Sequence, residues 1–204
     1  MVHLSSALLP SPKQREHTIP YISSVTYSHN HSIVLVHGLG GHRERTWTTK
    51  PDSNSCSWPR ELLLNDLSSA RIITWGYPAT TFKLAEVVAV VHPTELANNL
   101  CNDLRNLREG NEERPLIFIA HSMGGIVVPK ALLHSNESTN DIASLVESAC
   151  GVIFLGTPHC GSEKADFASI FTSILRIFHP LNDTLIEALK SHNPELQDLQ
   201  RRFN

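Results

Sequence analysis

Four short apolar runs punctuate the chain: Ile33-Val34-Leu35-Val36, Arg71-Ile72-Ile73-Thr74-Trp75, Leu116-Ile117-Phe118-Ile119 and Gly151-Val152-Ile153-Phe154-Leu155. Each is close to continuously apolar rather than alternating. That is the pattern of strands covered on both faces in a parallel sheet. Tyr21 to Tyr27 instead sets Tyr21, Ser23, Val25 and Tyr27 against Ile22, Ser24 and Thr26, which predicts an edge strand. Helical spacing fills the intervals. Leu96, Leu100, Leu104 and Leu107 share one stripe, with Asn98, Asn102, Asp103 and Arg105 off it. Pro93 can open that helix, because its first position needs no N–H. Trp58 to Leu67 and Asp141 to Ser148 are further candidates, and Asp183 and Asn193-Pro194 start two more. Strand alternating with helix implies an α/β class, doubly wound around a mostly parallel sheet.

Pro129 conflicts with this scheme. It falls beyond the first turn of the helix that follows Ile119, where it cannot donate to the Gly125 carbonyl. The defect is about 3 kcal/mol in an ordinary helix, and a kink is expected there.

At 204 residues the chain suits one domain. Residues 1–20 hold Pro10, Pro12 and Pro20 with little periodicity and read as a lead-in, leaving 21–204 for the domain. A 41% hydrophobic and 18% charged composition supports a packed core. The net charge of −3 provides no basic field for nucleic acid and no polybasic face for a lipid surface. No apolar run approaches the ~18 residues of a membrane span, and the segment before Glu16 fits a secretory leader poorly. Cys56, Cys101, Cys150 and Cys160 form no C-x-x-C pair, so they read as reduced thiols in a cytosol-like compartment. His29 and His31 make an H-x-H without further ligands and read as surface residues, so no metal is expected.

The third strand runs straight into Ala120-His121-Ser122-Met123-Gly124-Gly125. A serine between small residues, after a strand and before a helix, has the layout of a nucleophile elbow. Ala120 stands where the usual pattern has Gly. Ser122 Oγ is the candidate nucleophile, and the Met123 N–H at the start of the helix is one candidate oxyanion donor. The first strand runs into His37-Gly38-Leu39-Gly40-Gly41-His42. An H-G pair there is the expected setting for a second donor, and the Leu39 N–H is the candidate. The bland readings are a chance small-x-Ser-x-Gly and an ordinary turn. The loop lacks G-x-x-x-x-G-K-[ST], which removes a nucleotide site. His121 reads as shaping the elbow, and His159 either lines the pocket or packs in its loop. The order of strand, H-G loop, strand, helix, strand and elbow is more specific than either motif alone.

On these residues the chain resembles the α/β-hydrolase superfamily, in particular lipase-like, serine-active-site-containing (SERAC-type) proteins. It also looks close to the hydrolase domains of fungal NACHT, NB-ARC or ankyrin-repeat receptors. The matching segments are Val36 to His42 with Thr46-Trp47-Thr48, Ala70 to Tyr77, Arg114 to Val128, and Gly151 to Ser162 with its Gly156-Thr157-Pro158-His159 block. The resemblance implies acyl-ester hydrolysis or transfer without a cofactor. It implies Ser122 as nucleophile, Leu39 and Met123 as backbone donors, and His37, Gly38, Gly40, His121 and His159 lining the site. It also implies an ester or lipid substrate, with peripheral contact at mitochondrial or endoplasmic-reticulum membranes.

The chain departs from the family pattern at Pro78, commonly Asp, and at Pro129, commonly Lys. After Ser162 no further strand is legible, so the sheet is expected to lack its last strands and the domain to be C-terminally incomplete. The triad acid and base are then not identifiable within the chain. Asp166 is the one candidate acid, in the arrangement where the acid follows the strand beside the elbow strand. His179 and His192 fall in helical or loop context. An uncovered Gly151–Leu155 edge would favour self-association. Residues 163–180 read as a pocket wall or lid, with ordinary core packing the plainer account. Two functions follow: a serine acyl hydrolase or transacylase, and a non-catalytic interaction or signalling module derived from one.

Overall fold

The computed structural model describes residues 21–22, 30–49, 55–77, 93–137, 144–157 and 202–203. The strands are β1 (Tyr21–Ile22), β2 (His31–Val36), β3 (Ala70–Trp75), β4 (Leu116–His121) and β5 (Ala149–Leu155). They form one sheet in the order β1-β3-β2-β4-β5. β2, β3, β4 and β5 run parallel, and β1 adds antiparallel to the β3 edge. Every expected strand is present where it is described, within one or two residues. Residues 23–29 of the first lie outside the described residues.

The helices are α1 (Leu64–Asp66), entered through a π-wound turn Pro59–Leu63, then α2 (Pro93–Leu107), α3 (Gly124–Glu137) and α4 (Ser144–Ser148). They lie on both faces of the sheet, and period two sorts the strand residues between them. Val34, Val36, Ile73, Trp75, Phe118 and Ala120 face the buried stripes of α2 and α3, among them Leu100, Leu104, Val127 and Leu132. Ile33, Leu35, Ile72 and Ile119 face Trp47, with Trp58, Leu63 and Leu64 packed over them. Val34 lies between Ile73 and Phe118 in register, so one buried row crosses the three central strands. Each such side chain contributes about 1.5–3 kcal/mol by leaving water.

Residues Gly124 to Pro129 of α3 are all buried, so this helix start is enclosed on every side. Helix α3 runs through Pro129 to Glu137. Its burial carries it past the carbonyl that Pro129 leaves without an amide partner.

Below α2, Arg108 is buried and donates through Nη2 to the Arg114 carbonyl at 2.9 Å and to the Glu112 carbonyl. It thereby ties the α2–β4 connection together. Among the described residues β5 pairs only with β4, and its Ile153 and Leu155 are exposed. Helix 183–189 and the one expected after Asn193 lie outside the described residues, apart from a helical turn at 202–203. No helix of the described residues is long and apolar enough to cross a membrane.

Candidate active site

Ser122 sits on the sharp turn between β4 and α3 with φ of 52°. Among the described residues it is the one non-glycine residue at positive φ. A side chain in the left-handed region costs about 1–2 kcal/mol, so the surroundings must hold it there. Its N–H donates to the Leu155 carbonyl at 2.9 Å, extending the β4–β5 ladder by one bond. Its carbonyl accepts the Gly125 N–H at 3.0 Å, which starts α3. Ser122 is buried, and its Oγ has no hydrogen-bond partner among the described residues.

The His37–Gly41 loop lies directly against this turn. A Cβ on Gly38 would stand 2.6 Å from Ser122 Cβ and 3.0 Å from Ser122 Oγ. The loop then turns at Gly40, φ 67°, closed by the Gly41 N–H donating to the Gly38 carbonyl at 3.1 Å. A positive φ at the third residue is the type II arrangement, which glycine adopts without strain. From the other side, a Cβ on Gly124 would overlap the Val36 carbonyl oxygen. The end of β2, the loop and the elbow are therefore in main-chain contact. The backbone N–H groups of Leu39 and Met123 have no acceptor among the described residues, while both side chains are buried.

His37 is fully buried. Its Nδ1 donates to the Gly38 carbonyl at 2.8 Å and its Nε2 accepts the Tyr77 N–H at 3.3 Å. These partners assign the neutral Nδ1–H tautomer. Tyr77 stacks on the ring at 4.4 Å and 13°, and its hydroxyl donates to the His37 carbonyl at 3.2 Å. Burial lowers the His37 pKa to about 4, against the Gly38 hydrogen bond, with His42 and His121 adding to the lowering. Both ring nitrogens are occupied, so His37 braces the loop and is not free to take a proton from serine.

His121 is half-buried, with its ring edge-on to Trp47 at 6.2 Å. Burial lowers its pKa, and its Nδ1 has no partner among the described residues. His159 and Asp166 lie outside the described residues, as do residues 163–180, His179 and His192. Among the described residues no three His, Cys, Asp or Glu side chains cluster as metal ligands.

Two supporting residues lie in segments that the sequence singles out, but their contacts with the site do not follow from it. Tyr77, two residues past β3, reaches His37 forty positions away, and only its place in the Gly76-Tyr77 segment hints at this. Thr157, just after β5, approaches the Ser122 carbonyl with its hydroxyl at 3.2 Å.

Residues 33–201 match the model of the "Alpha/beta hydrolase family". The chain belongs to this family. Its curated relatives include Protein SERAC1 of Danio rerio, 29% identical over 187 residues, and of Homo sapiens, 28% identical over 185 residues. Each alignment covers 84% of this alpha/beta hydrolase chain and 27% of the relative, so the chain spans about a quarter of their length. Among solved structures, the mature form of the Bacillus licheniformis lipase BlEst2 is similar, with a TM-score of 0.55 and 21% identity. That likeness covers 89% of this chain and 65% of the lipase, and it shows the fold.

Proposed function

We propose that this alpha/beta hydrolase chain carries a serine acyl-ester hydrolase or transacylase site. Ser122 Oγ is the nucleophile, and the Leu39 and Met123 N–H groups are the oxyanion donors. One observation carries the reading: Ser122 alone, among the described non-glycine residues, is held at positive φ, on a strand-to-helix turn. Strained residues of this kind cluster at active sites. In the proposed reaction Oγ attacks the ester carbonyl and loses its proton, and the two amides stabilise the oxyanion. The alcohol leaves with a proton, and water or a second alcohol releases the acyl group. The substrate class is an ester, with lipid acyl esters favoured by the lipase likeness.

The base is not supplied by His37, whose nitrogens are both engaged. His159 is the proposed site-lining imidazole. The second reading is a hydrolase-derived interaction module without acyl chemistry, since among the described residues no base reaches Ser122 Oγ. A fluorophosphonate probe separates the two. Labelling of the wild-type chain that disappears in Ser122→Ala supports the enzyme. No labelling of the folded wild-type chain removes the enzyme reading in favour of the module.

A further inference from the structure

We propose that Thr157 is the positioning residue of the elbow, the side chain that holds Ser122 in its left-handed conformation. The inference rests on the acyl-transfer reading of Ser122 and adds a residue to it. Four observations converge on Thr157. β5 ends at Leu155, whose carbonyl takes the Ser122 N–H at 2.9 Å. The chain then turns at Gly156, φ 58°, which carries Thr157 back toward the elbow. There the Thr157 hydroxyl stands 3.2 Å from the Ser122 carbonyl and 3.5 Å from the Ala120 carbonyl. With one proton to donate, it serves the nearer of the two. The fourth observation is steric. A Cβ on Gly125 would overlap both the hydroxyl and the methyl of Thr157, so this side chain fills the space that Gly125 leaves at the start of α3.

Together these contacts fix the Ser122 peptide at both ends. Leu155 takes its N–H, and Gly125 and Thr157 share its carbonyl. Backbone strain lasts only when its surroundings over-determine it, and Thr157 is the only side chain among the described residues seen to contribute. The hydroxyl does not touch the reacting atom. Its role is exerted through the Ser122 carbonyl, and so through where Oγ points.

Thr157→Val keeps the branched shape and removes the hydrogen bond. Thr157→Ser keeps the hydrogen bond and removes the methyl. The rate of covalent labelling by a fluorophosphonate at saturating probe reads the position of Oγ, and circular dichroism with thermal melting reads folding. Thr157→Val is expected to label at least about tenfold more slowly while half-saturating at an unchanged probe concentration. Thr157→Ser is expected to recover most of the wild-type rate. A folded Thr157→Val that labels like wild type overturns the positioning role, as does a Thr157→Ser as slow as Thr157→Val. If wild type itself is not labelled, the acyl-transfer reading fails. A crystal structure of Thr157→Val then decides this inference separately. Ser122 relaxing from positive φ supports the clamp, and Ser122 unchanged near 52° overturns it.

Discussion

Gly38 and Ser122 are packed so closely that the methyl group Gly38 lacks would stand 2.6 Å from Ser122 Cβ. Real Cβ atoms do not approach each other that closely. Gly38→Ala must therefore displace either the loop that carries Leu39 or the serine itself. The displaced atoms belong to both halves of the proposed site. Labelling by a fluorophosphonate is expected to fall by about a hundredfold, and stability by about 1–3 kcal/mol through overpacking. Labelling kinetics together with a urea melt check this. A Gly38→Ala protein that labels at the wild-type rate contradicts the close packing.

Ser122 sets stability against the proposed chemistry at one position. Glycine occupies φ near 52° without the Cβ clash that serine and alanine suffer. Ser122→Gly is expected to be more stable than Ser122→Ala by about 1 kcal/mol, although both lack the hydroxyl. Equilibrium denaturation of the two variants measures the strain directly. Equal midpoints would mean that the turn is not strained in solution.

His37 makes folding sensitive to acid. In the unfolded chain its ring takes a proton near pH 6.5, but in the fold only at about 4. Between those values the unfolded state binds more protons than the native state. Its contribution is therefore complete above pH 6.5 and is lost as the pH falls toward 4. The loss amounts to about 3 kcal/mol. NMR of the histidine ring in the folded protein should show His37 neutral at pH 5.5 and unresponsive across the neutral range. A midpoint near 6.5 for that resonance would show that its ring is not enclosed.

Much of this architecture was legible in the chain because strands buried on both faces write themselves as continuous apolar runs. Ile33–Val36 and Leu116–Ile119 lie within such strands, while Gly151–Leu155 lies within a strand whose Ile153 and Leu155 are exposed. The stripe Leu96, Leu100, Leu104 and Leu107 marked α2, and Pro93 marked its start. The place of Ser122 between β4 and α3 followed from the same local logic. Contacts between distant segments were not legible. Asp103 looked like a polar position off the apolar stripe, yet its carboxylate accepts the Trp75 indole N–H at 2.8 Å. Nor did anything local show that the ring of His37 is held by Tyr77, forty residues away. No periodicity encodes such pairs, because each is decided by which strands become neighbours. The π-wound entry at Pro59–Leu63 escaped for a different reason: its residues fit an ordinary helical pattern equally well.

The glycines around Ser122 restrict what can replace them. At Gly124 the missing methyl would fall on a main-chain oxygen of Val36, which no rotamer change can move aside. Gly38 and Gly125 are hemmed in by the elbow and by Thr157. Replacing any of the three would cost stability whether or not the proposed acyl chemistry is in use. These positions record packing rather than activity. Ser122 is different, since glycine at that place would relieve the backbone, and the strain there is matched only by the proposed role of its hydroxyl.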